Sequence, residues 1–170
     1  MTALRDLSNP KLITLKAAEE ERVQLSQTKQ KLVITNGCFD LLHPGHLYFL
    51  QEAAKQGDQL WVLLNSDASV QQLKGPQRPV QGELERAYGL AALECISRVI
   101  VFNTPRLTQE ILAIRPDVYV KAGDYTLDTL DSGEREALEK VGTSIQFLPF
   151  LEGFSTTSLI KKICNAADTF

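Results

Sequence analysis

The sequence predicts an α/β fold: one doubly wound sheet of about five parallel strands with helices on both faces. Short β-branched, apolar runs alternate along the chain with helix-like segments, an order that joins parallel strands through right-handed crossovers. The runs are continuously apolar rather than alternating, as strands covered on both faces require. At 170 residues, 44% of them hydrophobic and 23% charged, the chain is long enough for one real core and short enough for one domain.

Each element follows from local chemistry. Residues 1–30 form an N-terminal extension with one expected helix over about Lys16–Lys29. Lys31–Thr35 (KLVIT) is a strand that ends at the turn-forming pair Asn36-Gly37. Pro44–Gln56 is a helix: Pro44 is tolerated in the first turn, Leu47, Phe49, Leu50, Ala53 and Ala54 supply the apolar side, and Gly57 stops it. Leu60–Leu64 (LWVLL) is a second strand, and Asn65-Ser66-Asp67 has the composition of a turn or helix cap. Lys74–Gly82, with two glycines and two prolines, is a loop.

Glu83–Cys95 is a helix, because Leu84, Ala87, Tyr88, Ala91, Ala92 and Cys95 keep helical spacing and Glu83 and Glu85 suit the positive end of its dipole. Arg98–Phe102 (RVIVF) is a third strand and Leu107–Ile114 a short helix stopped before Pro116. Val118–Val120 is a fourth strand, Ser132–Lys140 a helix, Ile145–Leu148 a fifth strand and Ser155–Ala166 the closing helix. The whole is Rossmann-like.

Composition excludes several functions. A net charge of −3 is a poor basis for non-specific nucleic-acid binding, which sets many cations against phosphates. The three cysteines, Cys38, Cys95 and Cys164, form no CxxC pair, which disfavours a zinc ribbon or dithiol site and suits a reducing compartment. Residues 1–9 carry Arg5 and Asp6 and lack the apolar core of a signal peptide. No uncharged apolar run approaches the roughly 18 residues of a membrane span. The expectation is a cytoplasmic protein with no membrane partner.

The residues that carry chemistry fall just after the strands, where open parallel sheets bind ligands. Thr35-Asn36-Gly37-Cys38-Phe39-Asp40-Leu41-Leu42-His43-Pro44-Gly45-His46 places Asp40 and both histidines of the chain between a strand end and a helix start. Helix N-termini attract anions through free N–H groups and the dipole, and imidazoles at i, i+3 can point to one phosphate. Lys121-Ala122-Gly123-Asp124-Tyr125 follows the fourth strand, and Glu152-Gly153-Phe154-Ser155-Thr156-Thr157 opens the last helix as a second anion cradle. Lys74, Arg78 and Arg86 add cations. Singly, each feature has a plain reading: cap, packing, turn or solvated loop. Together they line one sheet edge and suit a ligand with several phosphates. The P-loop, GxGxxG and GxSxG motifs are missing, which disfavours P-loop enzymes, dinucleotide oxidoreductases and α/β-hydrolases. The spacing HExxH is missing too, and no third zinc ligand accompanies the histidines.

With GCFD before it and a strand before that, HPGH resembles the HxGH nucleotidyltransferase superfamily of cytidylyl- and adenylyltransferases (cytidylyltransferase-like). The resemblance covers about Leu32–Ile163, through TNGCFDLLHPGH, NSDASVQQLKGPQRPV, ELERAYGLAAL, VKAGDY and EGFSTTSLIKKI in order. Within it the chain is most similar to the adenylyltransferase domain of bacterial ADP-heptose synthesis (D-glycero-β-D-manno-heptose 1-phosphate adenylyltransferase). A single nucleotidyltransferase domain over 31–170 is implied, transferring AMP from ATP to a sugar phosphate with release of pyrophosphate, for lipopolysaccharide or surface glycan synthesis.

The alternative is a cytidylyltransferase using CTP and glycerol 3-phosphate or a similar alcohol phosphate. Those relatives usually carry an arginine before the final glycine–hydroxyl motif, where Phe150-Leu151-Glu152-Gly153 has none. Further off stands a non-catalytic nucleotide-binding subunit, which need not keep the histidines.

The resemblance also implies roles. His43 and His46 contact the triphosphate and stabilise the transition state, and Lys74 and Arg86 neutralise phosphate charge. Asn36, Gly37, Cys38 and Phe39 shape the nucleotide pocket; Asp67, Lys121, Gly123 and Asp124 line ribose and base; Ser155, Thr156 and Thr157 hold the β and γ phosphates. Asp40, Lys74 and Arg78 meet the acceptor. Cys38 stands where many members have threonine, so a hydroxyl contact is lost while the backbone N–H remains. Mg²⁺ is expected on the triphosphate oxygens rather than on protein ligands, and a homo-oligomer, such as a dimer, is implied.

Overall fold

The computed structural model describes residues 7–123, 125–149 and 151–167. In chain order the elements are α1 (Leu15–Gln27), β1 (Leu32–Gly37), α2 (Pro44–Ala54), β2 (Gln59–Asn65), α3 (Asp67–Lys74), α4 (Glu83–Ala91), β3 (Arg98–Phe102), α5 (Thr108–Ile114), β4 (Val118–Ala122), α6 (Ser132–Val141), β5 (Ser144–Leu148) and α7 (Thr156–Ala167). The five strands form one parallel sheet in the order β3-β2-β1-β4-β5. The winding direction reverses between β1 and β4, so a crevice opens between their carboxyl ends.

Strand residues alternate between two cores. Leu32, Ile34, Trp61, Leu63, Ile100, Phe102 and Tyr119 pack under α1, α5 and α6. Val33, Val62, Leu64, Val99, Val118 and Val120 pack under α2 and α4. Both faces are covered, which is why these strands read as unbroken apolar runs.

α1 shares the first core through Ala18 and Leu25. Thr14 caps it by accepting the Ala17 N–H, and residues 11–13 run alongside β3, with Val99 N–H donating to the Lys11 carbonyl and Ile13 N–H to that of Val99. Among the described residues no helix is long and apolar enough to cross a membrane.

Two elements differ from the sequence expectation. α3 occupies residues left between a turn and a loop; Ser66 caps it by accepting the Ser69 N–H. Its sequence, DASVQQLK, buries only Ser69 and Val70, so no apolar stripe announces it. α4 ends at Ala91 rather than Cys95, because the chain must turn at once into β3. The freed Leu93 carbonyl accepts from Lys11 Nζ at 2.8 Å.

Candidate active site

The β1–β4 crevice holds a cavity of about 540 Å³, within the size range of small-molecule sites. Its floor is the end of β1 and the loop after it, from Thr35 to Asp40. Phe39 there has φ +42°, a left-handed conformation costly for a bulky residue. Its ring lies back over Gly37, where a Cβ would sit 2.9 Å from the ring, and is tilted against His46 with centroids 5.2 Å apart.

Two helix starts meet at the cavity. His43 is the N-cap of α2, and its Nδ1 accepts the His46 backbone N–H at 3.3 Å, which leaves the ring proton on Nε2. The two imidazoles stack at 3.8 Å. His46 lines the cavity, whereas His43 is buried behind it. Burial, then the neighbouring His43, pushes the His46 pKa down to about 4; burial also lowers that of His43. Both rings are therefore neutral near pH 7 and act as N–H donors or acceptors rather than as cations.

The α7 start lies against that of α2. A Cβ on Gly45 would be 3.1 Å from both the His43 ring and Phe154 Cβ. Ser155 spends its hydroxyl as a cap, accepting the Ser158 N–H. Thr156 lines the cavity, while Thr157 lies outside its lining. Of the three residues expected to hold phosphate, only Thr156 lines the cavity. At the α2 start Pro44 has no N–H and those of His46 and Leu47 go to His43, which leaves the Gly45 N–H. At the α7 start the N–H groups of Thr156 and Thr157 precede the capped Ser158, and these three supply the rest of an anion cradle.

Lys74 reaches the cavity from the end of α3. Lys121 lines it from β4, its Nζ 4.8 Å from the Tyr125 ring centroid and 5.5 Å from that of Tyr119. Gly123 permits close strand passage: a Cβ there would be 2.8 Å from the Leu148 carbonyl oxygen. Asp124 lies outside the described residues. Cys38 lines the cavity as a free thiol, its pKa raised mainly by burial.

Four expectations need correction. The Arg86 side chain is 0% exposed and meets protein, not the cavity. Its Nη1 donates to the carbonyls of Cys38 (2.7 Å) and Asn65 (2.8 Å), its Nε to that of Gln81 (3.0 Å), and its Nη2 to Asp67 (2.7 Å). It is a clamp that ties the ends of β1 and β2 to the 75–82 loop. Asp67 is turned to Arg86 and does not line the cavity. Asp40, 1% exposed, is filled by donors from the 75–82 loop: Arg78 Nε at 2.6 Å, Val80 N at 2.8 Å and Gln81 N at 3.1 Å. Despite the cost of burial, these bonds hold its carboxyl below the usual range. Arg78 Nε is thus a latch on Asp40, whose oxygens are filled, while the buried Arg78 Nη2 keeps an unused donor outside the cavity lining.

Residues missed in the sequence form the cavity's far wall. Arg106 follows β3, Tyr125 and Thr129 follow β4, and Asp131 and Glu134 open α6. Their one signal was position: the loop after β3 also ends at the carboxyl edge, and Asp131 is an Asx residue before a helix.

A family model described as cytidylyltransferase-like matches residues 34–162. The bifunctional protein HldE of Geobacter sulfurreducens is 49% identical over 137 residues, covering 81% of this chain and 28% of its own length. That of Syntrophotalea carbinolica is 43% identical over 154 residues, 90% of this chain and 31% of its own. The chain thus spans about three-tenths of the length of these curated relatives. A lipopolysaccharide core biosynthesis protein from Thermoplasma volcanium superposes with a TM-score of 0.58 at 25% identity, over 72% of this chain and 97% of that one. With three-quarters of its length inside the family match and its histidine pair at the start of α2, the chain belongs to the cytidylyltransferase-like family.

Proposed function

We propose that the protein transfers AMP from ATP to a heptose 1-phosphate, releasing pyrophosphate and giving an ADP-sugar for lipopolysaccharide or surface glycan synthesis. The observation that carries the reading is the meeting of the α2 and α7 starts beside His46, at a cavity of about 540 Å³. The likeness to HldE over four-fifths or more of the chain supports the choice of substrate.

The nucleophile is an oxygen of the sugar phosphate. With a second pKa of about 6 it is largely dianionic at neutral pH, so no general base is required. This oxygen forms a bond to the α-phosphorus of ATP while the α–β bridging P–O bond breaks, and the electron pair leaves with pyrophosphate. The protein's task is to position two polyanions and to offset charge that grows on the leaving group. His46 donates toward the triphosphate, and His43, stacked behind it and capping α2, positions its ring and the helix start. The Gly45 N–H of α2 and the first N–H groups of α7, with Thr156, hold its β and γ phosphates, and Lys74 and Lys121 supply positive charge without acting as bases. Groups on this side are donors, suited to phosphate oxygens; Mg²⁺ enters as part of the substrate MgATP and lowers the charge the cradle must offset. Asn36, Gly37, Cys38, Phe39 and Gly123 shape the nucleotide's bed. Arg86 and the Asp40–Arg78 latch act one step back, fixing the loops that carry these groups. A cytoplasmic location and self-association belong to the same reading.

The test incubates the protein and Mg²⁺ with ATP, CTP, GTP or UTP against a panel of sugar and polyol phosphates and measures pyrophosphate. The expected result is release with ATP and a heptose 1-phosphate. Release only with CTP and glycerol 3-phosphate, or with no pair, would overturn the reading.

A further inference from the structure

The far wall of the cavity has a chemistry unlike its phosphate end. Arg106 Nε pairs with Asp131 Oδ2 at 3.1 Å, and Asp131 Oδ1 accepts the N–H groups of Gly133 and Glu134 at the start of α6. Glu134 is 3% exposed; its Oε1 accepts the Leu107 N–H at 3.0 Å, tying the loop after β3 to α6. The wall is therefore rigid, and it sets one guanidinium against two carboxylates. A phosphate is repelled there, whereas a neutral polyol finds both donors and acceptors.

A second observation points to a ligand. The Tyr119 hydroxyl lies 2.8 Å from Asn36 Oδ1 and 3.4 Å from Glu134 Oε2. Tyr119 has a single O–H proton for these two acceptors. Given to Asn36, the nearer, it leaves Glu134 Oε2 without a donor. Asn36 and Glu134 both line the cavity, and a buried carboxylate oxygen without a donor is costly. A hydroxyl entering from the cavity supplies that donor. Burial, with the Glu134 charge beside it, holds the Tyr119 hydroxyl protonated, so its one proton stays between these two acceptors.

We propose that Arg106, Asn36 and Glu134 form a polyol subsite that receives the sugar hydroxyls of the acceptor, with Asp131 positioning Arg106. The subsite rests on the sugar-phosphate reading above and gives it a specificity-determining wall. The acceptor's phosphate then faces Lys74 and His46 and its carbon chain runs toward α6, which orients the nucleophilic oxygen at the α-phosphorus. Acceptors with few hydroxyls, such as glycerol 3-phosphate, leave Glu134 Oε2 unmatched and bind less well.

The test compares wild type with Arg106→Ala and Glu134→Gln. Calorimetry measures binding of D-glycero-β-D-manno-heptose 1-phosphate and glycerol 3-phosphate, and steady-state kinetics measure KM for ATP and for the sugar phosphate. Loss of a charge-assisted hydrogen bond weakens sugar-phosphate binding about tenfold or more in each variant. The KM for ATP stays within about twofold, and the preference for the heptose over glycerol 3-phosphate shrinks. Arg106 is more than half exposed in its side chain, so its variant folds and decides the matter even if Glu134→Gln does not. Unchanged sugar-phosphate binding in Arg106→Ala, or an equal rise in the KM for ATP, overturns the subsite alone. Binding of the heptose phosphate by wild type without pyrophosphate release overturns the AMP-transfer reading, and the Arg106→Ala binding result still judges the subsite. No binding of either phosphate by wild type overturns both.

Discussion

Replacing Arg86 by methionine separates a structural clamp from a phosphate ligand. The guanidinium satisfies the carbonyls of Cys38, Asn65 and Gln81 and pairs with Asp67. Methionine fills much of the volume and makes none of these bonds. Asp67 is 40% exposed, so water replaces its lost partner at small cost. The carbonyls of Cys38 and Asn65 sit at the ends of β1 and β2, where each orphaned acceptor costs about 1–2 kcal/mol, whereas Gln81 is exposed and water replaces its bond. The sum is about 2–4 kcal/mol, which for a domain of this size lowers Tm by about 5–15 °C. Thermal melts followed by circular dichroism read this directly. ATP affinity, measured by calorimetry at a temperature where both proteins are folded, falls less than the stability loss would suggest, because no phosphate contact is removed. A variant that melts within about 2 °C of wild type but has lost ATP binding would refute the clamp and restore Arg86 to the triphosphate.

Other outcomes follow from the same geometry. His46→Ala lowers kcat about 10²- to 10³-fold, the usual cost of one donor to developing charge; near-normal turnover would remove His46 from the transition state. An NMR titration of the free protein places the His46 midpoint at about 4, and a bound triphosphate moves it upward, because the anion favours imidazolium. With its folded pKa depressed below the unfolded 6.5, His46 contributes stability that is present above pH 6.5 and lost as pH falls toward 4, the window in which the unfolded chain binds the extra proton. A free-state midpoint near 6.5 would contradict this. Gly45→Ala wedges a methyl between the His43 ring and Phe154, parts the two helix starts, and weakens ATP binding with little change in the sugar-phosphate KM; an unaltered ATP affinity in steady-state kinetics would count against the joint cradle.

Much of the fold was legible because its signals are local. LWVLL and RVIVF are unbroken apolar runs, and β3 spans the expected residues. Pro44 and Gly57 bracket α2, which covers all but the last two of its expected positions. α3 was not legible because its stability comes from the Ser66 cap and from Ser69 packed between Asn65 and Thr104, not from a stripe in its own sequence. The site divides along the same line. Residues after strands were placed at the right sheet edge by topology alone, but whether a charged side chain faces ligand or protein depends on partners far along the chain. Arg86 meets carbonyls 21 and 48 residues away, and Asp40 meets a loop some 40 residues on. Neither pairing leaves a trace in spacing or composition. The Arg106 wall was hidden for the same reason: it exists only because the loop after β3 crosses over to the start of α6, where Leu107 N–H reaches Glu134.

The most direct test of AMP transfer follows the phosphorus atoms. The protein is incubated with Mg²⁺, D-glycero-β-D-manno-heptose 1-phosphate, and ATP radiolabelled at either the α- or the γ-phosphorus. Attack at the α-phosphorus sends the α-label into an ADP-sugar and the γ-label into pyrophosphate, in equal amounts. Label from the γ position in the sugar product, or no transfer of the α-label to any sugar phosphate, would contradict it.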